Sequence, residues 1–142
     1  MHLDFYHMNA WINQLYGEKR FIVFPRGQED LVYPKPDDPW RSDVNIFNPD
    51  YTKFPKYKDA TPIEFTVGPG ETLFIPFGTW HTAHSLTSTI SVAFDQLNRK
   101  NYPDFMKDVW RFGKRQSKKK AIARYGYAWL AGQSCKLGEV FR

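Results

Sequence analysis

Near the start of the chain, His2-Leu3-Asp4 places an imidazole and a carboxylate two residues apart. In an extended strand, positions i and i+2 share a face, so both side chains can reach one metal ion. A third ligand must then come from a distant part of the chain. His81 is the strongest candidate, because it follows the turn-rich Phe77-Gly78-Thr79-Trp80 at the entrance of an expected strand. His84 lies three residues further on, which puts it on the opposite strand face, and His7 reads as an ordinary polar position. Two imidazoles and one carboxylate on one face leave three coordination positions open, the facial arrangement of non-heme Fe(II) oxygenases. Zinc or manganese could occupy the same donors, since site affinity alone does not select iron. A lone His-x-Asp arises often by chance, so its surroundings must carry the case.

Those ligands need a scaffold, and the pattern of the chain is mainly β. Met1 to Tyr6 reads as extended, and Asn9 to Tyr16 is ambiguous between strand and helix. Gly17-Glu18-Lys19-Arg20 reads as a turn, followed by a buried strand Phe21-Ile22-Val23-Phe24 that Pro25 stops. Residues 26–60 hold Pro34, Pro36, Pro39, Pro49 and Pro55. A long irregular excursion is expected there, lid-like and shaping the entrance to a site. Ile63 to Val67 alternates as a half-buried strand, and Gly68-Pro69-Gly70-Glu71 is a tight turn. Leu73–Pro76, Trp80–Leu86 and Thr89–Phe94 are three more short strands. This is a sandwich or jelly-roll pattern.

After Leu97 the period changes. Pro103 suits a first helical turn, and Phe105, Met106, Val109 and Trp110 form one apolar stripe before Gly113 is expected to end the helix. Ser117 is a candidate N-cap for a second helix carrying Ala121, Ile122, Tyr125, Trp129 and Leu130, with Gly132 near its end. The expected division is residues 1–97 as a β core and 98–142 as a basic helical extension packed on it.

Charge follows the same division. The 142 residues carry a net charge of +5. Residues 1–98 hold 8 Lys/Arg and 12 Asp/Glu, a balance of −4, while residues 99–142 hold 12 and 3, a balance of +9. The body is therefore no nucleic-acid footprint. Lys114-Arg115 and Lys118-Lys119-Lys120 read first as a solvated helix face and second as a dock for an acidic partner. A single cysteine, Cys135, excludes an internal disulfide framework. No apolar run approaches the ~20 residues of a membrane span, and no signal peptide opens the chain. No membrane partner and a cytoplasmic (in a eukaryote, also nuclear) location are expected.

Several fragments, in uninterrupted order over roughly residues 2–95, together resemble the JmjC-type, cupin-like oxygenases. They are His2-Leu3-Asp4, Asn9, Gln14 to Phe21, Phe24-Pro25, Ser42-Asp43-Val44, Asn48-Pro49-Asp50, Phe54-Pro55, Pro69 to Pro76, Trp80-His81, Ser85-Leu86 and Ser88 to Val92. The branch with asparaginyl and lysyl hydroxylases is the nearer match. The resemblance implies a double-stranded β-helix binding Fe(II) through His2, Asp4 and His81, with 2-oxoglutarate as co-substrate. It implies that Lys19 takes the far carboxylate of 2-oxoglutarate and that Asn9 lies near the chelating one. Asn9 stands seven residues after His2 where the family pattern has six, and Ala93 stands where the family usually has asparagine. It also implies that a strand and a helical region normally precede the first ligand. A β-helix incomplete at its N-terminus, with a fraying terminal ligand and an open sheet edge, is therefore expected. A homodimer through the two C-terminal helices is implied as well.

Two functions follow for comparison. The first is an Fe(II)/2-oxoglutarate dioxygenase, a hydroxylase of a protein side chain or small molecule that releases succinate. The second is a non-catalytic cupin-like binding module that keeps the fold. A storage or sugar-isomerase cupin is disfavoured, because such sites use more histidines and have no role for Lys19. The residues leave peptide, RNA and small molecule open as substrates.

Overall fold

The computed structural model describes residues 1–140, with side chains through residue 133. Positions 141 and 142 of the expected helical extension, and the Cys135 side chain, lie outside the described residues. The chain folds as two compact units that divide between Gln96 and Leu97.

The first unit is a jelly roll of six strands: β1 (Asn9–Tyr16), β2 (Lys19–Val23), β3 (Ile63–Val67), β4 (Thr72–Ile75), β5 (His81–Ser85) and β6 (Ile90–Gln96). They form two antiparallel sheets, ordered β4-β1-β6 and β3-β2-β5. The ambiguous segment from Asn9 is thus a central strand. Its register, Ala10 to Ile75 and Ile12 to Ala93, commits one face to the interior. Ala10 and Ile75 of the first sheet pack there against Phe21 and Val67 of the second. Phe21 is only 1% exposed, and burying a side chain of this size contributes roughly 1.5–3 kcal/mol. On the outer face of the first sheet, Trp11 contacts both register partners, the tilted ring of Phe74 at 4.5 Å and the stacked ring of Phe94 at 6.5 Å between centroids.

The turn after β1 is shorter than its residue types suggest. Lys19 and Arg20 belong to β2, pairing with Val67 and Thr66 on one side and with Ser85 and His84 on the other. Only Gly17 and Glu18 make the connection, and a register shift between Gln14 and Tyr16 tightens it. Gly17 has φ +68°, and a Cβ there would meet the Ser88 carbonyl oxygen at 2.0 Å. Glycine is therefore required by both conformation and space.

The 26–60 excursion packs on the outer face of the β3-β2-β5 sheet. Its Val32, Val44, Phe54 and Tyr57 form one buried cluster with Ile22, Phe24 and Trp80. It is thus an outer layer over that sheet rather than a lid over the interior. It also holds the first residues of the chain. The Leu3 amide donates to the Trp40 carbonyl at 2.8 Å, and the Ser42 amide donates to the Met1 carbonyl at 3.2 Å. His2 forms bridges with both Arg41 and His81. The expected fraying of this ligand segment is therefore corrected: backbone pairs flank it on both sides. Its extended course ends earlier than expected, in a 3₁₀ turn over Phe5–His7 with Tyr6 at φ 58° and His7 at φ 52°.

The second unit is a hairpin of α1 (Tyr102–Gln116) and α2 (Lys118–Val140). Neither glycine ends its helix. A Cβ on Gly113 would sit 2.9 Å from the Cβ of Ala121, and one on Gly132 would sit 2.2 Å from the Tyr102 hydroxyl. Both are points of close helix approach, so α1 runs on to Gln116 and α2 to Val140. Ser117 lies between the helices, its hydroxyl 3.5 Å from the Lys120 amide. No helix among the described residues is long and apolar enough to cross a membrane.

Candidate metal centre

Strand alternation and the bridge between His2 and His81 assemble this site. The His2 amide donates to the His81 carbonyl at 2.9 Å, and the His81 amide donates to the His2 carbonyl at 3.0 Å. This reciprocal pair fixes the two residues opposite each other, with ring centroids 4.5 Å apart. Leu3, between the two N-terminal polar residues, packs against the outer hydrophobic cluster. His2 and Asp4 therefore share the other face. His2 Nε2 lies 3.6 Å from Asp4 Oδ1, and His81 Nε2 lies 3.7 Å from the same oxygen. One ligand atom from each residue falls within 4.8 Å of the other two. Neighbouring ligands about 2.1 Å from one ion stand roughly 3 Å apart, so a small contraction would close this trio on a metal.

Second contacts set the chemistry. His81 Nδ1 lies 2.9 Å from the Thr79 carbonyl, which can only accept, so Nδ1 carries the proton. The Nε2 lone pair is then free on the Asp4 side, as a metal ligand needs. Burial holds the His81 imidazole below its ordinary value of 6.5, against the opposing pull of the Thr79 carbonyl and the Asp4 carboxylate. Burial alone would raise the Asp4 carboxyl. The adjoining His2 and the His81 ring outweigh it and keep that carboxyl below its ordinary 3.8. The His81 side chain is 6% exposed, Asp4 24% and His2 46%, so the trio opens to solvent on the His2 side.

These shifts predict acid sensitivity. Both folded groups bind fewer protons than their unfolded counterparts, for His81 as the pH falls below 6.5 and for Asp4 as it falls below 3.8. Their contribution to stability is full above those values and is lost on acidification through the lower folded values. The melting midpoint of the metal-free chain should fall first just below pH 6.5, and His81→Gln should flatten that part of the profile. A midpoint that rises on acidification in this range would contradict the assignment.

Lys19 lies on the same inner face. It pairs in register with Val67, a buried interior residue, while His81 pairs with Val23 further along β2. Lys19 and Val23 are four positions apart, about 13 Å of strand. The Lys19 ammonium crosses to the other sheet and donates to Ser91 Oγ at 2.7 Å. No carboxylate pairs with Lys19 among the described residues. Asn9 opens β1. It is 4% exposed, and its Oδ1 accepts from the Phe77 amide at 2.9 Å. It lies opposite Gln96, the hydrogen-bond partner of Trp11, and braces the turn before β5. His84 faces outward, against Phe47. Gln14 and Ser91 had no assigned role in the sequence. The available signal was a glutamine at an interior position of an alternating strand.

Comparison with known proteins bears on the family of this unit. A family model described as a cupin-like domain matches residues 1–98. The arginine-specific demethylase JMJ20 of Arabidopsis thaliana is 33% identical over 113 residues, covering 78% of this chain and 24% of that protein. The HSPB1-associated protein 1 of Homo sapiens is 33% identical over 96 residues, 64% of this chain and 20% of that protein. The bifunctional arginine demethylase and lysyl-hydroxylase psr-1 of Caenorhabditis elegans is 32% identical over 108 residues, 71% of this chain and 27% of that protein. The chain thus spans about a quarter of the length of these relatives or less.

Proposed function

The chain belongs to the JmjC-type, cupin-like family, and from that premise we propose that it acts as an Fe(II)- and 2-oxoglutarate-dependent oxygenase. His2, Asp4 and His81 would hold the metal, and Lys19 would take the far carboxylate of 2-oxoglutarate. When bound, the metal and co-substrate supply an oxidation coupled to decarboxylation of 2-oxoglutarate to succinate. The protein's own part is to hold and orient. The Thr79 carbonyl fixes the His81 tautomer, and the paired backbones of His2 and His81 fix the spacing of their rings. The apolar interior around Phe21, Val67 and Ile75 limits water around the bound acid.

The observation that carries this reading is Lys19. Two histidines and a carboxylate suit several metals and several chemistries. A part-buried cation on the same inner face, without a carboxylate partner among the described residues, calls for an anionic group on the ligand. A 2-oxo dicarboxylate offers a chelating end for the metal and an anionic end for this lysine. The names of two relatives specify arginine or lysine side chains, so a peptide is the first substrate class to try.

The test is anaerobic titration of the full chain with Fe(II) and then 2-oxoglutarate. A weak visible charge-transfer band should grow to one equivalent, and admission of air should release succinate. A band without succinate would favour a binding module. Absence of the band at saturating metal and acid would remove the oxygenase reading altogether.

A further inference from the structure

The interior contains a polar chain that the metal trio does not use. Gln14 on β1 is fully buried, at 0% exposure. Its Nε2 donates to the Tyr16 carbonyl at 2.6 Å and to the Gly17 carbonyl at 2.9 Å. Its Oε1 accepts from Ser91 Oγ at 2.7 Å, and Ser91 Oγ in turn accepts from Lys19 Nζ at 2.7 Å.

Every direction in this chain is determined. The two backbone carbonyls can only accept, so the amide nitrogen of Gln14 must face them and its oxygen must face Ser91. The Ser91 proton is thereby committed to Gln14, and a lone pair of Ser91 is left for the lysine. An ammonium has three donors. One is used on Ser91, which leaves two for a ligand carboxylate. Gln14 also ties this chain to the tightest point of the fold, since its carbonyl partners are the residues at the register shift and the left-handed Gly17. A buried glutamine costs free energy unless its polar atoms are satisfied. Here that satisfaction also fixes where the lysine stands.

We propose that Gln14 and Ser91 are positioning residues for carboxylate recognition. Through the chain Gln14–Ser91–Lys19 they hold the Lys19 ammonium where it can receive the far carboxylate of a 2-oxo dicarboxylic acid. This inference rests on the proposed co-substrate and adds to it the two residues that aim the lysine. Their effect falls on the carboxylate end of the ligand alone, because neither residue belongs to the metal trio.

The experiment is calorimetric titration of the Mn(II)-loaded full chain with 2-oxoglutarate, and with 2-oxopentanoate, which keeps the chelating end and lacks the far carboxylate. Ser91→Ala should weaken 2-oxoglutarate about three- to tenfold, the effect of one ordinary hydrogen bond, because the loss reaches the ligand only through the lysine. It should leave Mn(II) and 2-oxopentanoate affinities unchanged. Ser91→Thr, which keeps the hydroxyl, should restore most of the 2-oxoglutarate affinity. Gln14→Leu should act in the same selective direction. If that variant fails to fold, the two Ser91 variants carry the test by themselves. Unchanged 2-oxoglutarate binding in Ser91→Ala, or an equal loss for both acids, would overturn the proposal. The two readings fail differently. If Lys19→Ala leaves 2-oxoglutarate affinity intact, the assignment of the co-substrate site is at fault. If Lys19→Ala is damaging and Ser91→Ala is silent, only the positioning chain is wrong.

Discussion

Replacing His81 by alanine should lower the affinity for Co(II) or Mn(II) by about 100- to 1,000-fold. That factor follows from sharing the roughly 10–16 kcal/mol of a four-ligand structural zinc site evenly, at about 2.5–4 kcal/mol per ligand. His81 is the ligand for which the loss should be most complete. It is the most buried of the three, its tautomer is set by the Thr79 carbonyl, and its Nε2 lies 3.7 Å from Asp4 Oδ1. Water entering the space left by the ring could not restore a donor oriented in that way. The same substitution removes no interior backbone pair, since the reciprocal hydrogen bonds with His2 run through main-chain atoms. The metal-free variant should therefore remain folded, which circular dichroism would verify beside the Co(II) titration. His84→Ala provides the control, because His84 faces outward against Phe47 and should leave metal affinity untouched. Equal affinities in the His81→Ala variant and the parent chain would mean that the trio is not the metal centre.

Lys19→Ala should weaken 2-oxoglutarate binding about ten- to a hundredfold, the equivalent of roughly 1.5–3 kcal/mol for a hydrogen-bonded charged contact. Metal affinity should be unaffected. The lysine and the histidine stand on the same face of neighbouring strands, about four residues apart along β2. The two ends of the co-substrate would therefore be recognised by separate groups, and one can be removed while the other stays. Lys19→Arg should recover only part of the lost affinity, because a planar guanidinium cannot take the place of a compact ammonium against Ser91 without displacement. Titrations of the Mn(II)-loaded variants with 2-oxoglutarate would decide the matter. Undiminished affinity in Lys19→Ala would leave the interior cation without its assigned partner.

Much of the β unit was legible as local pattern. Alternation from Ile63 to Val67, the apolar run at Phe21 and the Gly-Pro turn at 68–70 correspond to strands and turns because each depends on a few adjacent residues. The two-residue spacing of His2 and Asp4 likewise settles that they share a face once the segment is extended. Other features are ambiguous in their local chemistry. Lys19 and Arg20 look like turn residues, yet strand pairing on both sides claims them. Gly113 and Gly132 look like helix stops, but each marks a close approach to Ala121 or Tyr102. The absence of a side chain has two uses, and only the neighbouring helix tells which applies.

What the sequence by itself determined is the set of residue types and the periodicity that carries them. The tertiary structure decided which of these residues meet. His81 reaches His2 through an antiparallel bridge spanning most of the β unit, and Lys19 reaches Ser91 by crossing from one sheet to the other. Asn9 accepts from the Phe77 amide at the turn before β5, and Gln14, which carried no assignment, holds Ser91. The physical reason is that strand alternation is set by the local backbone. Register between distant strands is set by the packing of a shared interior, where shifting a strand by one residue would turn every side chain to the opposite face.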